Sequence, residues 1–349
     1  MKILNRGVKP SDQMALFRLY ANDLIRAGIT YAIVNRTAGI LFFSLGVLLI
    51  IITVTAGCVA SHEQKPFSIT FFNVGQGDSC LLQSNGKTML VDAGPYEAGP
   101  VIADWLKAGN ITTLDVVVST HPHSDHIGGM PYLLKRFRIG TLIDTGDPHT
   151  TPTYENLLKT IESQNIPYQT VRAGDTIDLD PALTIEVLSP KEPLGADIND
   201  NSMVLRITNG KTTALLMGDA GIGIENRLLS EGQILKADLL KVGHHGSRHS
   251  TGKTFINEVS PDIAVISLAK DNDYGYPQKD PVRYLTDTGA QIYRTDQEGT
   301  ITVRSDEAGL TVIPGEEVQN LSDCTCSAIR KFCDSSAGER DPCCRSCSG

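Results

Sequence analysis

Three histidines and one aspartate lie within six consecutive residues, in the run His121-Pro122-His123-Ser124-Asp125-His126. Side chains alternate along an extended segment, so His121 and His123 project to one side and can bind one metal ion. Asp125 and His126 follow the bend and face a second position. Imidazole and carboxylate donors together suit zinc, manganese or iron. A lone histidine is usually structural, but this spacing predicts a metal centre on a loop that follows a strand.

Two further groups of polar side chains follow apolar runs. Asp219 ends the run Leu215-Leu216-Met217-Gly218, and His244 and His245 follow the run 239–243. Catalytic groups gather at strand ends, because the sheet fixes them while the loops leave them accessible. Taken alone, a strand-terminal aspartate is more often a turn or helix-cap residue, and either histidine is as often structural as functional. Both groups are therefore candidates for the same metal centre.

Composition and charge limit the possible functions. The chain has 349 residues, 41% hydrophobic and 20% charged, which is enough apolar material for one large domain or two smaller ones. The formal net charge of −9 argues against attraction of nucleic acid to the whole surface, although a metal-lined cleft can still bind phosphate. The chain has one tryptophan and no run of basic and aromatic residues, which argues against a protein that binds single-stranded nucleic acid by base stacking.

The elements that position these groups are strands mixed with helices. Strands are predicted at 67–74, 79–83, 87–92, 114–119, 183–188, 203–208, 212–217, 238–242 and 263–268, and helices at 99–109, 223–230 and 281–288. The runs 114–119 and 238–242 are almost wholly apolar, which is typical of strands buried on both faces. The two halves together predict an α/β fold in which two sheets pack face to face with helices outside.

The N-terminal region predicts export and attachment to a membrane. Residues 39–57 carry no charge and are long enough to span a hydrocarbon layer, and an excess of Lys and Arg precedes them. Small residues directly before Cys58 resemble the lipobox of a prokaryotic signal peptide, in which Cys58 is lipidated, although Thr55 stands where Leu is usual. An uncleaved signal anchor is the alternative, and a buried soluble helix is a third. The first two place the protein on the outer face of the cell membrane.

The predicted organisation has four parts. A signal or anchor segment covers 1–58, a polar linker 59–66, the folded domain 67–315 and a cysteine-rich tail 316–349. Six of the eight cysteines lie in the tail, which indicates disulfides in an exported protein or, alternatively, a zinc knot. Cys80 lies in an apolar strand and is predicted to be a core residue.

Four motifs together resemble the metallo-β-lactamase superfamily. They are Phe72-Asn73-Val74-Gly75-Gln76-Gly77-Asp78-Ser79, the segment 120–129, Met217-Gly218-Asp219-Ala220 and Leu240-Lys241-Val242-Gly243-His244-His245-Gly246-Ser247. They resemble in particular the C-terminal hydrolase domain of ComEC-type DNA-uptake proteins and the choline-binding phosphorylcholine esterases. The resemblance covers about 67–312 and implies a four-layer αββα sandwich with metal ions at one edge of the sheets.

The resemblance implies two divalent metal ions, with zinc expected first and manganese or iron as alternatives. The ligands of the first ion would be His121, His123 and His245. The ligands of the second would be Asp125 and His126, with Asp219 bridging both. His244 would be a neighbour on the substrate side, and Asp92 would orient the histidine loop by hydrogen bonds. The candidates for catalytic roles are thus Asp92, Asp125, Asp219 and His244.

A second set of residues is expected beside the substrate. Its members are Gly77, Asp78, Ser79, Asn201, Ser202 and Ser247. Residues 75–78 would form a turn next to the metal ions, and Gly77, Ser79 and Ser247 would offer donors to substrate oxygens. The segment 199–202 would line the pocket where other branches have a metal-binding histidine.

The chain departs from the family at Tyr276. It reads Tyr274-Gly275-Tyr276-Pro277 where the branch commonly has Tyr-Gly-His-Pro, whose histidine completes the second metal site. A phenol must lose a proton to bind a metal ion well, and its ordinary pKa is about 10. We therefore expect the second site to be weaker than the first and partly occupied.

The mechanism implied by the resemblance is hydrolysis by a hydroxide that two metal ions generate, without a serine or cysteine nucleophile. A phosphodiester substrate is expected, in DNA, a surface polymer or a lipid headgroup. Hydrolysis of a β-lactam or a thioester is the alternative within the fold. A non-catalytic surface-binding lipoprotein with a degenerate metal site is the alternative from another class. The sequence identifies no obligate protein partner.

Overall fold

Two β-sheets lie at the centre of the computed structural model, which describes residues 22, 23, 26, 67–306 and 309–315. The strands are β1 (Phe67–Phe71), β2 (Cys80–Ser84), β3 (Lys87–Val91), β4 (Thr113–Val118), β5 (Arg138–Asp144), β6 (Tyr168–Thr170), β7 (Thr184–Ser189), β8 (Val204–Asn209), β9 (Thr212–Leu216), β10 (Leu239–Lys241), β11 (Ile263–Ile266), β12 (Gln291–Arg294), β13 (Ile301–Asp306) and β14 (Gly309–Pro314). The first sheet has the strand order β14-β13-β1-β2-β3-β4-β5-β6, and the second has the order β12-β11-β10-β9-β8-β7.

Helices connect the strands of both sheets. They are α1 (Ala98–Ala108), α2 (Ser124–Ile127), α3 (Met130–Leu134), α4 (Pro152–Ser163), α5 (Ile222–Ser230), α6 (Lys253–Val259), α7 (Lys279–Asp287) and α8 (Thr295–Glu298). Short 3₁₀ turns lie at Asn199–Asn201 and Gly243–Gly246.

Alternation along the strands places the core on both faces of each sheet. In β3, Met89 and Val91 pack between the two sheets, whereas Leu90 packs against the helices of the first sheet. In β9, Leu216 faces the other sheet and Leu215 faces the helices of the second sheet. Successive side chains of a strand point to opposite faces, so apolar runs are required in both sheets. The expected α/β sandwich of two sheets with flanking helices is confirmed.

Several predictions for the ends of the chain fall outside the described residues. These are the apolar run 39–57, Cys58, the linker 59–66 and the tail 316–349. Within the part that the structure describes, no helix has the length and apolar character needed to cross a membrane. The division into four parts stays a prediction. Cys80 lies in the core between the sheets, where the sequence placed it.

Candidate metal centre

The candidate site lies beyond the carboxyl ends of parallel strands from both sheets. Strands β3, β4 and β5 run parallel in the first sheet, and β9 to β12 run parallel in the second. The histidine loop follows β4, Asp219 follows β9 and His245 follows β10. Ligand sites in parallel sheets form at this edge, where loops from several strands meet. The fold therefore brings together the three groups that the sequence singled out.

The first group of metal donors is His121, His123 and Asp219, whose ligand atoms lie within 4.8 Å of one another. His121 Nε2 is 3.1 Å from His123 Nδ1 and 3.8 Å from Asp219 Oδ2. Burial and the neighbouring His126 hold the pKa of His121 well below its ordinary value. His121 is therefore neutral, the form in which imidazole binds a metal ion.

The second group is Asp125, His126 and His245, with ligand atoms within the same limit of 4.8 Å. His245 Nε2 lies 3.4 Å from Asp125 Oδ2, and His126 Nε2 lies 3.4 Å from Asp219 Oδ2. Burial raises the pKa of Asp219, but His126 and His245 outweigh this and hold it well below its ordinary value. Asp219 is thus an ionised carboxylate next to both groups, as a bridging ligand must be.

The structure groups His245 with Asp125 and His126, whereas the resemblance implied that it binds the first ion. His244 and His245 have left-handed backbone conformations, with φ of 45° and 54°. In this turn His245 Nδ1 lies 2.9 Å from the carbonyl oxygen of Ser267, and Nε2 faces Asp125. Positive φ at two successive residues other than glycine is uncommon, and no sequence pattern indicated it here. His245 therefore belongs to the second group.

Buried atoms without a partner show that these residues fit metal ions. His126 Nε2, His245 Nε2 and Asp219 Oδ1 are buried and make no hydrogen bond to any described residue. The other ring nitrogen of each histidine is engaged, 2.8 Å from Asp92 Oδ2 and 2.9 Å from Ser267 O respectively. Buried polar atoms usually have a partner, and metal ions would provide one here. This set of imidazoles and carboxylates suits zinc, manganese or iron.

Asp92, which follows β3, fixes the histidine loop. Its carboxylate accepts hydrogen bonds from Thr120 N at 2.9 Å and from Thr120 Oγ1 at 2.7 Å. The same carboxylate lies 2.8 Å from His126 Nδ1. A carboxylate on one ring nitrogen sets the orientation of the other, so Asp92 directs His126 Nε2 toward the metal position. This is the position that the expected orienting role requires.

Comparison with known proteins identifies the family. The family model described as Metallo-beta-lactamase superfamily matches residues 72–270, which is more than half of the chain. The chain belongs to this superfamily. Its buried histidines and aspartates form the metal-binding cluster of a metal-dependent hydrolase of that fold.

Curated relatives of the chain come from several bacteria. ComE operon protein 3 of Bacillus subtilis is 32% identical over 71% of this chain and 34% of its own length. Competence protein ComA of Neisseria gonorrhoeae is 31% identical over 67% of this chain and 32% of its own length. The chain thus spans about a third of the length of these relatives. A solved structure, the metallo-beta-lactamase fold protein YhfI of Bacillus subtilis, matches with a TM-score of 0.47 and 16% identity, covering 69% of this chain and 99% of that one.

The metallo-β-lactamase site opens into a cavity of about 480 Å³. A cavity of this size accommodates a small ligand or part of a larger one. The metal ligands that line it are His123, Asp125, Asp219 and His245. Other side chains that line it are Gln76, His149, His244, Tyr274 and Tyr276.

The six residues expected beside the substrate are placed by the structure around the metal ligands, and their contact with a substrate stays a prediction. None of them lines the cavity in the described part of the chain, and all six are buried. Asp78 Oδ2 is 2.5 Å from Lys241 Nζ. Ser79 Oγ donates to the carbonyl oxygen of Asp92 at 3.0 Å. Ser202 Oγ accepts from Asp219 N at 3.1 Å and so holds the backbone of a ligand.

The remaining three members of that set also support neighbouring loops. Gly77 has a φ of +142°, and a Cβ there would lie 2.2 Å from the carbonyl oxygen of Asp125. Only glycine fits such a close approach. Asn201 Nδ2 donates to Asp147 Oδ2 at 2.8 Å, and Ser247 Oγ accepts from the backbone of the following loop at 3.2 Å. The motif residues are thus needed for packing around the ligands.

His149 is a cavity residue that the sequence analysis missed. It lies on the loop between β5 and α4, and its ring centroid is 6.3 Å from that of His123. Arg172 Nη1 anchors this loop by donating to the carbonyl oxygen of Thr145 at 2.6 Å, and Thr151 Oγ1 caps α4. The sequence signal that could have identified this loop was the apolar pair 142–143 followed by Asp144, another polar residue at the end of a strand.

Tyr276, the expected weak or replaced ligand of the second ion, contacts His244. Its hydroxyl lies 3.4 Å from His244 Nε2. The second group has three donors without Tyr276, namely Asp125, His126 and His245. The weaker and partly occupied second site stays a prediction.

Glu225 of α5 holds the loop that follows His245. Its buried carboxylate accepts the backbone N–H groups of Thr251 and Gly252, the latter at 2.8 Å. Burial raises the pKa of Glu225 to about 7, although the two N–H donors oppose the shift. The carboxylate therefore changes its protonation near neutral pH.

Folding stability is expected to depend on Glu225 between its ordinary pKa of 4.5 and the folded value of about 7. In this window the folded protein keeps a proton that the unfolded chain releases. The free energy of unfolding therefore falls as the pH rises. Glu225→Gln should remove this part of the slope, which denaturant unfolding of both proteins at several pH values measures. An identical slope in the variant would contradict the raised pKa.

Proposed function

We propose that the chain is a hydrolase that cleaves phosphodiester bonds with water activated by two divalent metal ions. The observation that carries this proposal is the pair of donor groups that meet at Asp219 and open into the cavity. Held by these two donor groups, divalent ions would lower the pKa of a water molecule and would neutralise charge on the scissile group. The resemblance to DNA-uptake proteins, and similarity to Competence protein ComA over 67% of the chain, support a phosphodiester over a β-lactam.

Residues around the ligands keep the donors in place. Asp92 orients His126, the carbonyl oxygen of Ser267 orients His245, and Ser202 Oγ holds the backbone of Asp219. All these contacts are buried, so the ligands hold their geometry before any ion or substrate arrives.

His149 is the side chain that we expect to contact a substrate oxygen. The backbone N–H of Thr150 donates to His149 Nδ1 at 3.0 Å, so Nε2 is the ring nitrogen that carries a proton. That N–H is a hydrogen-bond donor for a phosphoryl oxygen.

His149→Ala is expected to lower kcat/KM roughly tenfold to a hundredfold, because a hydrogen bond to a charged group contributes about 1.5–3 kcal/mol. His149→Gln should recover part of the loss, since its amide offers an N–H near the position of Nε2. Steady-state kinetics with a diester and metal content per chain are the measurements. Full activity in the alanine variant, or loss of metal from it, would contradict this role.

The proposed reaction is tested with the full chain, extracted in detergent and loaded with zinc or manganese. The probes are bis(p-nitrophenyl) phosphate, a chromogenic cephalosporin and a thioester. Diester cleavage that requires metal and is lost in His121→Ala supports the proposal. Cleavage of the cephalosporin or the thioester alone assigns the other reaction. Bound metal without turnover of any probe indicates a binding protein and overturns the proposal.

We also propose that the N-terminal segment holds the protein on the outer face of the cell membrane. The uncharged run 39–57 and the small residues before Cys58 support this. With a lipidated Cys58, the mature protein begins at that residue and carries acyl chains, and Cys58→Ser leaves a precursor. The intact mass of membrane-extracted protein measures the difference. A mass that includes residues 1–57 favours the signal anchor, and a protein found wholly in the soluble fraction contradicts both forms.

A further inference from the structure

Two tyrosine rings are stacked at the edge of the metal cavity. The rings of Tyr274 and Tyr276 are 5.3 Å apart between centroids, with 14° between their planes. Both side chains line the cavity together with His123 and His244. Tyr276 covers one face of Tyr274, yet Tyr274 is 62% exposed. The outer face of Tyr274 is therefore available to a further flat ring.

Tyr276, the inner of the two tyrosines, is held by contacts of its ring, its hydroxyl and its backbone. Its ring lies 6.3 Å from that of His245 at 31°, and its hydroxyl is 3.4 Å from His244 Nε2. Its backbone N–H donates to Asn272 Oδ1 at 2.8 Å, and Asn272 Nδ2 donates to its carbonyl oxygen at 2.9 Å. The rings of His245, Tyr276 and Tyr274 thus follow one another from the metal ligands to the edge of the cavity. Any group stacked on Tyr274 lies at the entrance to the metal centre.

The parallel arrangement favours a planar occupant. Flat π-systems bind by offset stacking on an open aromatic face, and every nucleobase offers such a face. A quaternary ammonium group is instead bound by several rings set at angles around it. The net charge of −9 and the lack of a basic and aromatic run argue against a long nucleic-acid track. The site therefore suits one base next to the scissile phosphate.

We propose that Tyr274 and Tyr276 form a stacking subsite for one nucleobase. The substrate is then a nucleotide-derived phosphodiester, such as a dinucleotide or the end of a strand. This inference rests on the proposed phosphodiester hydrolysis and adds the substrate class to it.

Three p-nitrophenyl diesters with the same leaving group test the subsite on the metal-loaded full chain. They are the esters of thymidine 5′-phosphate, methyl phosphate and choline phosphate. The wild type should prefer the thymidine ester to the methyl ester by roughly tenfold in kcat/KM, the contribution of one stacked base. Tyr274→Leu, which keeps an apolar side chain but no ring, should remove that preference. Tyr274→Phe, which keeps the ring, should retain it.

The ratio of kcat/KM for the thymidine ester to that for the methyl ester distinguishes loss of the subsite from a general loss of folding or of metal. Cleavage of either ester requires a folded, metal-loaded protein, so such a loss lowers both values together. Calorimetry gives a second readout without turnover, with thymidine 5′-monophosphate expected to bind roughly tenfold more weakly to Tyr274→Leu. A wild-type ratio near one, or an unchanged ratio in Tyr274→Leu, overturns the subsite while cleavage of the methyl ester upholds the proposed function. If the wild type instead prefers the choline ester and Tyr274→Leu removes that preference, the subsite binds choline, and the nucleobase proposal is overturned. Failure to cleave any of the three esters overturns the proposed function itself.

Discussion

Replacing His245 by alanine is expected to release one of two metal ions and to lower hydrolysis by more than roughly a hundredfold. Loss of a residue that only orients a ligand already costs about 10- to 100-fold in affinity or activity. His245 Nε2 is buried, makes no hydrogen bond to any described residue and lies 3.4 Å from Asp125 Oδ2. Without it the second group keeps only Asp125 and His126 as its own donors.

The neighbouring His244 provides the matched control. It precedes His245 directly and lines the same cavity, but its ligand atoms belong to neither donor group in the described part of the chain. His244→Ala should therefore retain two ions per chain, whereas His245→Ala retains one. Metal content by mass spectrometry and diester turnover measure both variants. Equal metal loss in the two, or a loss confined to His244→Ala, would show that the donor groups are assigned wrongly.

The histidine loop could be predicted because its donors are close in the chain. The spacing of His121 and His123 alone places both side chains on one side of an extended segment. The group that His245 joins depends on the left-handed turn after β10 and on how the two sheets pack, because β10 and β4 lie in different sheets. Such long-range geometry has no local signal. For the same reason the sequence could identify Asp219 as a candidate but could not give its distance from His126.

The loop of His149 was missed because the elements on both sides of it have weak patterns. β5 begins with four residues that are exposed or only partly buried, and its buried part is a run of three. An apolar run that short does not distinguish a strand from a loop. At Gly77 the sequence did not predict the packing role that the structure shows beside the expected contact with substrate. A glycine is required there because the turn approaches the carbonyl oxygen of Asp125 too closely for a side chain.

Replacing Lys241 by methionine is expected to destabilise the fold by about 3–5 kcal/mol, the usual effect of removing one partner from a buried ion pair. Lys241 Nζ is 2.5 Å from Asp78 Oδ2, and neither side chain is more than 6% exposed. Burial raises the pKa of Asp78, but Lys241 and His245 outweigh this and hold it at about 2. Without the cation, Asp78 keeps an unpaired buried charge or must take up a proton. Denaturant unfolding of the metal-free proteins measures the loss.

A surface pair offers the control for this prediction. Lys87 Nζ is 2.8 Å from Asp115 Oδ1, at nearly the same distance, but the Lys87 side chain is 52% exposed. Lys87→Met should cost less than about 1 kcal/mol, because solvent screens an exposed pair. Equal losses in Lys87→Met and Lys241→Met would mean that burial of the pair does not determine the effect.

The double variant Lys241→Met with Asp78→Asn separates folding from metal binding. It should regain much of the stability lost in Lys241→Met, because no unpaired charge remains in the interior. It should bind the second ion more weakly than the wild type does. Asp78 Oδ1 lies 3.4 Å from His245 Nδ1, and a carboxylate behind a ligating histidine typically strengthens metal binding about 10- to 100-fold. If the double variant matches the wild type in both stability and affinity for the second ion, Asp78 serves folding alone. If it recovers neither, the buried pair is not the source of the loss. We expect the double variant to regain stability but to bind the second ion weakly, because the fold keeps the Asp78 carboxylate ionised to hold the metal ligand His245.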